Sequence, residues 1–201
     1  AIVDWHVLSD GDPMKNVDDA EAFWSEVSAM GAGRPHVLYE IANEPNGVEW
    51  PRIAEYASRV IPVIRSQDDE AVILVGTPQW SQDLTGPLEQ PLADKLGDNV
   101  MYTLHFYAAS HTDRSMIEAA AGRLPVFVSE FGISEYTGDG KLDTESADAW
   151  LASLEADDLI SWVGWSFSDK AESSAALAPG SCAAGDWDRT SKAGDWLRRQ
   201  L

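Results

Sequence analysis

Val37-Leu38-Tyr39-Glu40-Ile41-Ala42-Asn43-Glu44-Pro45 decides how this chain is read. A short apolar run ends on an amide, a carboxylate and a proline, the form of a strand that delivers polar side chains at its carboxyl end. Runs of the same kind recur on either side: Ile2-Val3, Val72 to Val75, Val100-Met101-Tyr102, Val126-Phe127-Val128 and Ile160 to Val163. Counted with Val37, their starts lie 26 to 35 residues apart, the spacing of βα units.

The intervening segments carry helical periodicity. Ala20, Phe23, Trp24, Val27 and Met30 mark one apolar face; Trp50, Ile53, Ala57, Val60, Ile61 and Ile64 a second; Ala147, Trp150, Leu151 and Leu154 a third. A weaker helix is expected over 113–121 and a last one over 191–201 with Ala193, Trp196 and Leu197 inward. Pro62 should kink the second helix, because proline removes a backbone donor. Glu172 to Trp187, rich in Ala, Ser and Gly, reads as a long loop after the last strand.

Continuous apolar strands alternating with amphipathic helices imply parallel strands covered on both faces. Such an α/β chain is either an open doubly wound sheet or a (β/α)8 TIM barrel. No Gly-x-Gly-x-x-Gly follows the first strand and no phosphate-binding Gly-x-x-x-x-Gly-Lys-Ser/Thr occurs, which removes support from the nucleotide-binding open sheets. In a barrel the active groups sit at the carboxyl ends of the strands. Here those ends read Asp4-Trp5-His6, Ala42-Asn43-Glu44-Pro45, Gly76 to Trp80, His105-Phe106-Tyr107, Ser129-Glu130-Phe131-Gly132 and Trp165-Ser166-Phe167. A plain scaffold would place turn residues there. The expectation is one catalytic domain over 1–201, an incomplete barrel of six βα units corresponding to strands 3 to 8, with two units wanting at the amino end.

Composition narrows the partners. The 201 residues carry a formal charge of -20, which repels nucleic acid phosphates and anionic lipid, so a neutral or cationic substrate is expected. Nine tryptophans favour a binding surface built of flat apolar faces. A single cysteine, Cys182, excludes an internal disulfide and a cysteine-based zinc cluster.

Glu44 and Glu130 end strands three βα units apart, so in a barrel they would face each other across the mouth. Glycoside hydrolysis uses such a pair, one carboxyl protonating the leaving oxygen while the other attacks the anomeric carbon. Competing chemistries lack their parts. There is no Gly-x-Ser-x-Gly and no His-Glu-x-x-His, and His6, His36, His105 and His111 include no His-x-His, so neither metal nor cofactor is expected. His36 and His111 read as structural.

Taken together, Ile41-Ala42-Asn43-Glu44-Pro45, Asp4-Trp5-His6, His105-Phe106-Tyr107, Val128 to Gly132 and Trp165 to Lys170 resemble the strand-end motifs of glycoside hydrolase family 5. The bacterial endo-β-1,4-glucanases, or cellulases, are the nearest in pattern. The resemblance implies that Glu44 is the acid/base and Glu130 the nucleophile of a retaining double displacement. It implies that Asn43 binds the sugar 2-hydroxyl, Tyr107 donates to Glu130, His105 hydrogen-bonds near the acid/base and His6 lines the substrate floor. Trp165 would stack on a sugar in the minus subsites and Trp80 on the leaving-group side. Lys170 and Glu172 would bind distal hydroxyls, or else be plain surface charges. Trp24, Trp50, Trp150 and Trp196 are read as helix packing.

The family's full barrel has two earlier strands, which bring an arginine supporting the nucleophile and aromatic residues on the sugar floor. The reading is therefore that the chain is the carboxy-terminal portion of a longer enzyme, poorly folded and weakly active or inactive alone, with Ile2 and Ile160 on open edges. Implied partners are β-linked glucans, without nucleic acid, membrane or oligomer, in an extracellular setting. A mannanase or xylanase on the same scaffold remains open, as does a non-catalytic carbohydrate-binding fragment.

Overall fold

The computed structural model describes residues 1–201. Six strands, β1 (Ile2–Asp4), β2 (Leu38–Glu40), β3 (Val72–Val75), β4 (Val100–Tyr107), β5 (Val126–Gly132) and β6 (Ile160–Gly164), lie in one sheet in chain order. β1 to β4 pair in parallel, with Asp4 opposite Glu40 and Glu40 opposite Leu74. All six strands fall on the apolar runs. β1 and β6 stand at the two ends of this order, as expected for strands with one neighbour.

The residues group into two compact units, Ala1–Leu104 with Ala120–Phe127, and His105–Ala119 with Val128–Leu201. In the first unit, α1 (Val17–Gly31) starts with Asp18 and Asp19, whose charges suit the positive end of the helix. Its Trp24 is fully buried and meets the Tyr39 ring edge-on at 5.7 Å. In α2 (Trp50–Arg65), Trp50, Ile53, Ala57, Val60, Ile61 and Ile64 are all buried. α2 runs through Pro62 to Arg65, as its apolar face to Ile64 requires. Burial of Ile61 and Ile64 on either side offsets the one backbone bond that proline forfeits so near the helix end. The connection from β3 to β4 has no long helix, only α3 (Pro78–Ser81), α4 (Thr85–Glu89) and α5 (Ala93–Leu96).

In the second unit, α6 (Ser115–Ala120) is shorter than its sequence pattern suggests. Asp143 caps α7 (Thr144–Leu154) by accepting from the Ser146 amide at 3.1 Å. Trp150 on this helix stacks on Phe106 of β4 at 3.8 Å and donates its indole N–H to the His111 carbonyl at 2.7 Å. The loop after β6 contains α8 (Ser181–Ala184) and leads to α9 (Lys192–Gln200), which Ser191 caps through the Gly194 amide. Trp196 of α9 is buried against Phe131 at 5.5 Å. All four tryptophans assigned to helix packing, Trp24, Trp50, Trp150 and Trp196, are buried.

Candidate active site

In the first unit the chain leaving β2 is held at three alternate residues. The Tyr56 hydroxyl donates to the Ile41 carbonyl at 2.6 Å, the Ser81 hydroxyl to the Asn43 carbonyl at 2.8 Å, and the Trp80 amide to the Pro45 carbonyl at 3.0 Å. Burial pushes the Tyr56 phenol well above its ordinary pKa, so it remains a donor. Asn43 is buried and Glu44 half-buried. Gly76 permits this close approach, because a Cβ there would stand 2.2 Å from the Ala42 carbonyl oxygen and 2.7 Å from Pro45 Cδ.

The bracing segment is itself strained. Gln79, Trp80 and Ser81 have φ of 57°, 59° and 57°, left-handed conformations that cost a residue other than glycine about 1 kcal/mol or more each. They bring the Trp80 amide to the Pro45 carbonyl, and the Trp80 side chain is more than half exposed. His6 hydrogen-bonds Asp4 through Nδ1 and Oδ2 at 2.5 Å and is exposed.

Glu40 escaped the sequence reading. Its carboxylate is buried inside β2 and accepts from the Thr103 hydroxyl at 3.2 Å. A charge within an apolar strand, two residues before Ala42 and four before Glu44, was the available signal, since alternate residues share one face.

The second unit carries the other carboxylate. β4 sends Phe106 into the helix layer, while His105 and Tyr107, on the opposite face, reach β5. The Tyr107 hydroxyl donates to Glu130 Oε2 at 2.8 Å, and both residues are buried. An ionised carboxylate so removed from water needs donors of this kind. His105 Nε2 lies 2.8 Å from the Ser129 hydroxyl and its Nδ1 lies 3.9 Å from Glu130 Oε2, so the ring is fixed beside the carboxylate. Gly132 is again a necessity of space: a Cβ there would stand 2.3 Å from Tyr107 Cδ1.

Beyond β6, the Trp165 amide donates to the Phe131 carbonyl at 2.9 Å, and the Trp165-Ser166 peptide is cis. Trp165 is half-buried. Lys170 and Glu172 form an ion pair at 2.6 Å in which the ammonium is largely exposed and the carboxylate only 12% exposed. Phe167 and Trp187, both exposed, stack at 6.0 Å. That pair lies too far apart in sequence for spacing to reveal it.

The strand-end residues thus fall on a scaffold whose order of strands and motifs can be compared with known proteins. The family model described as cellulase (glycosyl hydrolase family 5) matches residues 1–171. The chain belongs to glycosyl hydrolase family 5. Endoglucanase E-5 of Thermobifida fusca is 46% identical over the whole of this family 5 chain, which spans 45% of that protein. The cellulase Cel5C_n is 48% identical and superposes with a TM-score of 0.92 over 99% of this chain and 62% of its own. A glutamate-to-glutamine variant of the T. fusca endoglucanase Cel5A catalytic domain, solved in complex with cellotetraose, is 42% identical with a TM-score of 0.87, over 99% of this chain and 68% of its own. The fold is accordingly an incomplete (β/α)8 barrel of the family 5 type, and the chain spans less than half the length of the T. fusca endoglucanase.

Proposed function

We propose that this family 5 chain carries the two catalytic carboxylates of a retaining endo-β-1,4-glucanase. Glu130 is the nucleophile and Glu44 the acid/base. The observation that carries the reading is the buried Glu130 at the end of β5 with the Tyr107 hydroxyl 2.8 Å away. A buried carboxylate kept ionised by a phenolic donor is poised to attack a carbon that develops positive charge. The half-buried Glu44, following the triply braced segment after β2, supports its role as proton donor.

In the first step Glu130 attacks the anomeric carbon and Glu44 gives its proton to the departing oxygen. Glu44 then takes a proton from water as that water displaces Glu130, and configuration is retained. The pathway requires the two carboxyl groups about 5 to 5.5 Å apart. Asn43 binds the 2-hydroxyl, His105 orients the neighbouring groups and His6 lines the floor. Trp165 and Trp80 stack on pyranose rings on opposite sides of the cleaved bond, and Lys170 with Glu172 binds hydroxyls further along. The relatives named endoglucanases, one of them solved with cellotetraose, support glucan over mannan or xylan. A polymeric substrate also supports action outside the cell.

Hydrolysis of cello-oligosaccharides followed by proton NMR tests the mechanism. The first product formed should have the β configuration, and an α product refutes it. Glu130→Gln should abolish turnover while leaving oligosaccharide affinity within about ten-fold, since binding alone does not use the nucleophile's charge. Full turnover by Glu130→Gln assigns the chemistry elsewhere.

A further inference from the structure

The segment between Trp165 and Leu177 contains no helix or extended strand, yet it carries Trp165, Lys170 and Glu172. Part of its order is internal. The Ser166 amide donates to the Ser174 carbonyl, and the Ala176 and Leu177 amides donate to the Ser166 and Ser168 carbonyls.

The rest comes from the loop that follows β5. There, Gly138 and Gly140 have φ of 81° and 90°, which folds Thr137 to Gly140 tightly enough to present two acceptors in succession. The Gly138 carbonyl accepts from the Ser174 amide at 3.0 Å. Asp139 Oδ1 accepts from the Ser173 amide at 3.0 Å and from the Ser173 hydroxyl at 2.7 Å, with the Gly140 carbonyl within 2.8 Å of the same hydroxyl. Ser174 is fully buried and its hydroxyl donates to Glu172 at 3.3 Å, which connects the clamp directly to the Lys170–Glu172 pair.

We propose that Asp139 is a positioning residue for glucan binding: by clamping Ser173 it fixes the Lys170–Glu172 pair in a binding-ready geometry. The inference rests on the glucanase reading. Lys170 has four rotatable bonds and is largely exposed, so a fixed position depends on Glu172, and Glu172 depends on the backbone that Asp139 holds. Ordering those groups beforehand removes an entropic cost that each substrate would otherwise meet on binding. Asp139 does not touch substrate. It acts through two residues, so its loss should weaken binding of long substrates and spare the chemical step.

The test compares Asp139→Ala and Asp139→Asn with the unaltered protein in the full natural chain. For cellohexaose, Asp139→Ala should raise KM about three- to ten-fold with kcat within about two-fold, the loss expected of a few exposed hydrogen bonds. An aryl β-cellobioside, which fills fewer sugar sites than cellohexaose, should lose less. Asp139→Asn keeps the accepting oxygen and should restore most of the cellohexaose KM. Independently of turnover, amide exchange at Ser173 and Ser174 should quicken about ten-fold or more in Asp139→Ala. Unchanged exchange overturns the clamp. Faster exchange with an unchanged cellohexaose KM overturns the link to binding, and an equal loss on both substrates assigns Asp139 to general stability instead. If the unaltered protein cleaves neither substrate, the glucanase reading fails and this inference falls with it.

Discussion

Replacing Gly132 by alanine should move the pH profile of catalysis without touching a catalytic side chain. The added Cβ would lie 2.3 Å from Cδ1 and 2.6 Å from Cε1 of Tyr107. Carbon atoms settle at about 3.5 to 4.0 Å, so the ring must retreat by roughly 1 Å or more. Its hydroxyl now lies 2.8 Å from Glu130, and that displacement breaks the bond. Two effects follow. Overpacking costs about 1–3 kcal/mol of stability. Loss of a hydrogen bond to a buried carboxylate removes about 1.5–3 kcal/mol from its ionised form, or about one to two pH units at 1.36 kcal/mol each.

The direction is fixed by which form the bond favours. Tyr107 donates to the ionised carboxylate, so without it protonation competes at higher pH and the acidic limb of kcat/KM rises, while the basic limb stays in place. Initial rates on an aryl β-cellobioside across the acidic range measure this. Tyr107→Phe should show the same limb shift with less loss of stability. The double variant should shift no further than either single one, because both remove one bond. A Gly132→Ala protein whose melting temperature falls while its acidic limb stays put would refute the argument that Tyr107 governs the charge on Glu130.

Gly76→Ala should reduce kcat with a loss of stability, because its Cβ would press on Ala42 and Pro45 on either side of Asn43 and Glu44; unchanged kinetics would show that the braced segment tolerates movement. Trp150→Ala, which empties the space beside Phe106, should cost about 3–5 kcal/mol in urea unfolding. The Ser146 amide first, and then Lys141, hold the Asp143 carboxyl below its ordinary range. A carboxyl depressed in the folded state stabilises above its unfolded pKa and ceases to do so as pH falls through the folded one. Asp143→Ala should therefore lower the melting temperature at neutral pH and leave it nearly unchanged in strong acid, and an equal decrease at both would show that charge is not the cause.

Much of the scaffold was legible because local signals repeat. Each apolar run became a strand, and the helices with strong periodicity, 17–31, 50–65, 144–154 and 192–200, lie where their apolar faces predicted, although Met30, counted on the first face, is exposed. The connection between β3 and β4 was not legible, since its three short helices are too brief to carry a period and its left-handed turn has no glycine to announce it.

Sequence alone determined the succession of βα units, the family, and the residue types at each strand end, because periodicity and motif order are properties of the chain. It could not determine which groups hold those residues in place. That Tyr107 reaches Glu130, that Gly132 must lack a Cβ for it to do so, that Glu40 is buried against Thr103, and that Asp139 clamps Ser173 are facts of distance between segments 23 to 63 residues apart. A hydrogen bond depends on a separation and an angle that only the folded backbone sets, so these partnerships belong to the tertiary structure.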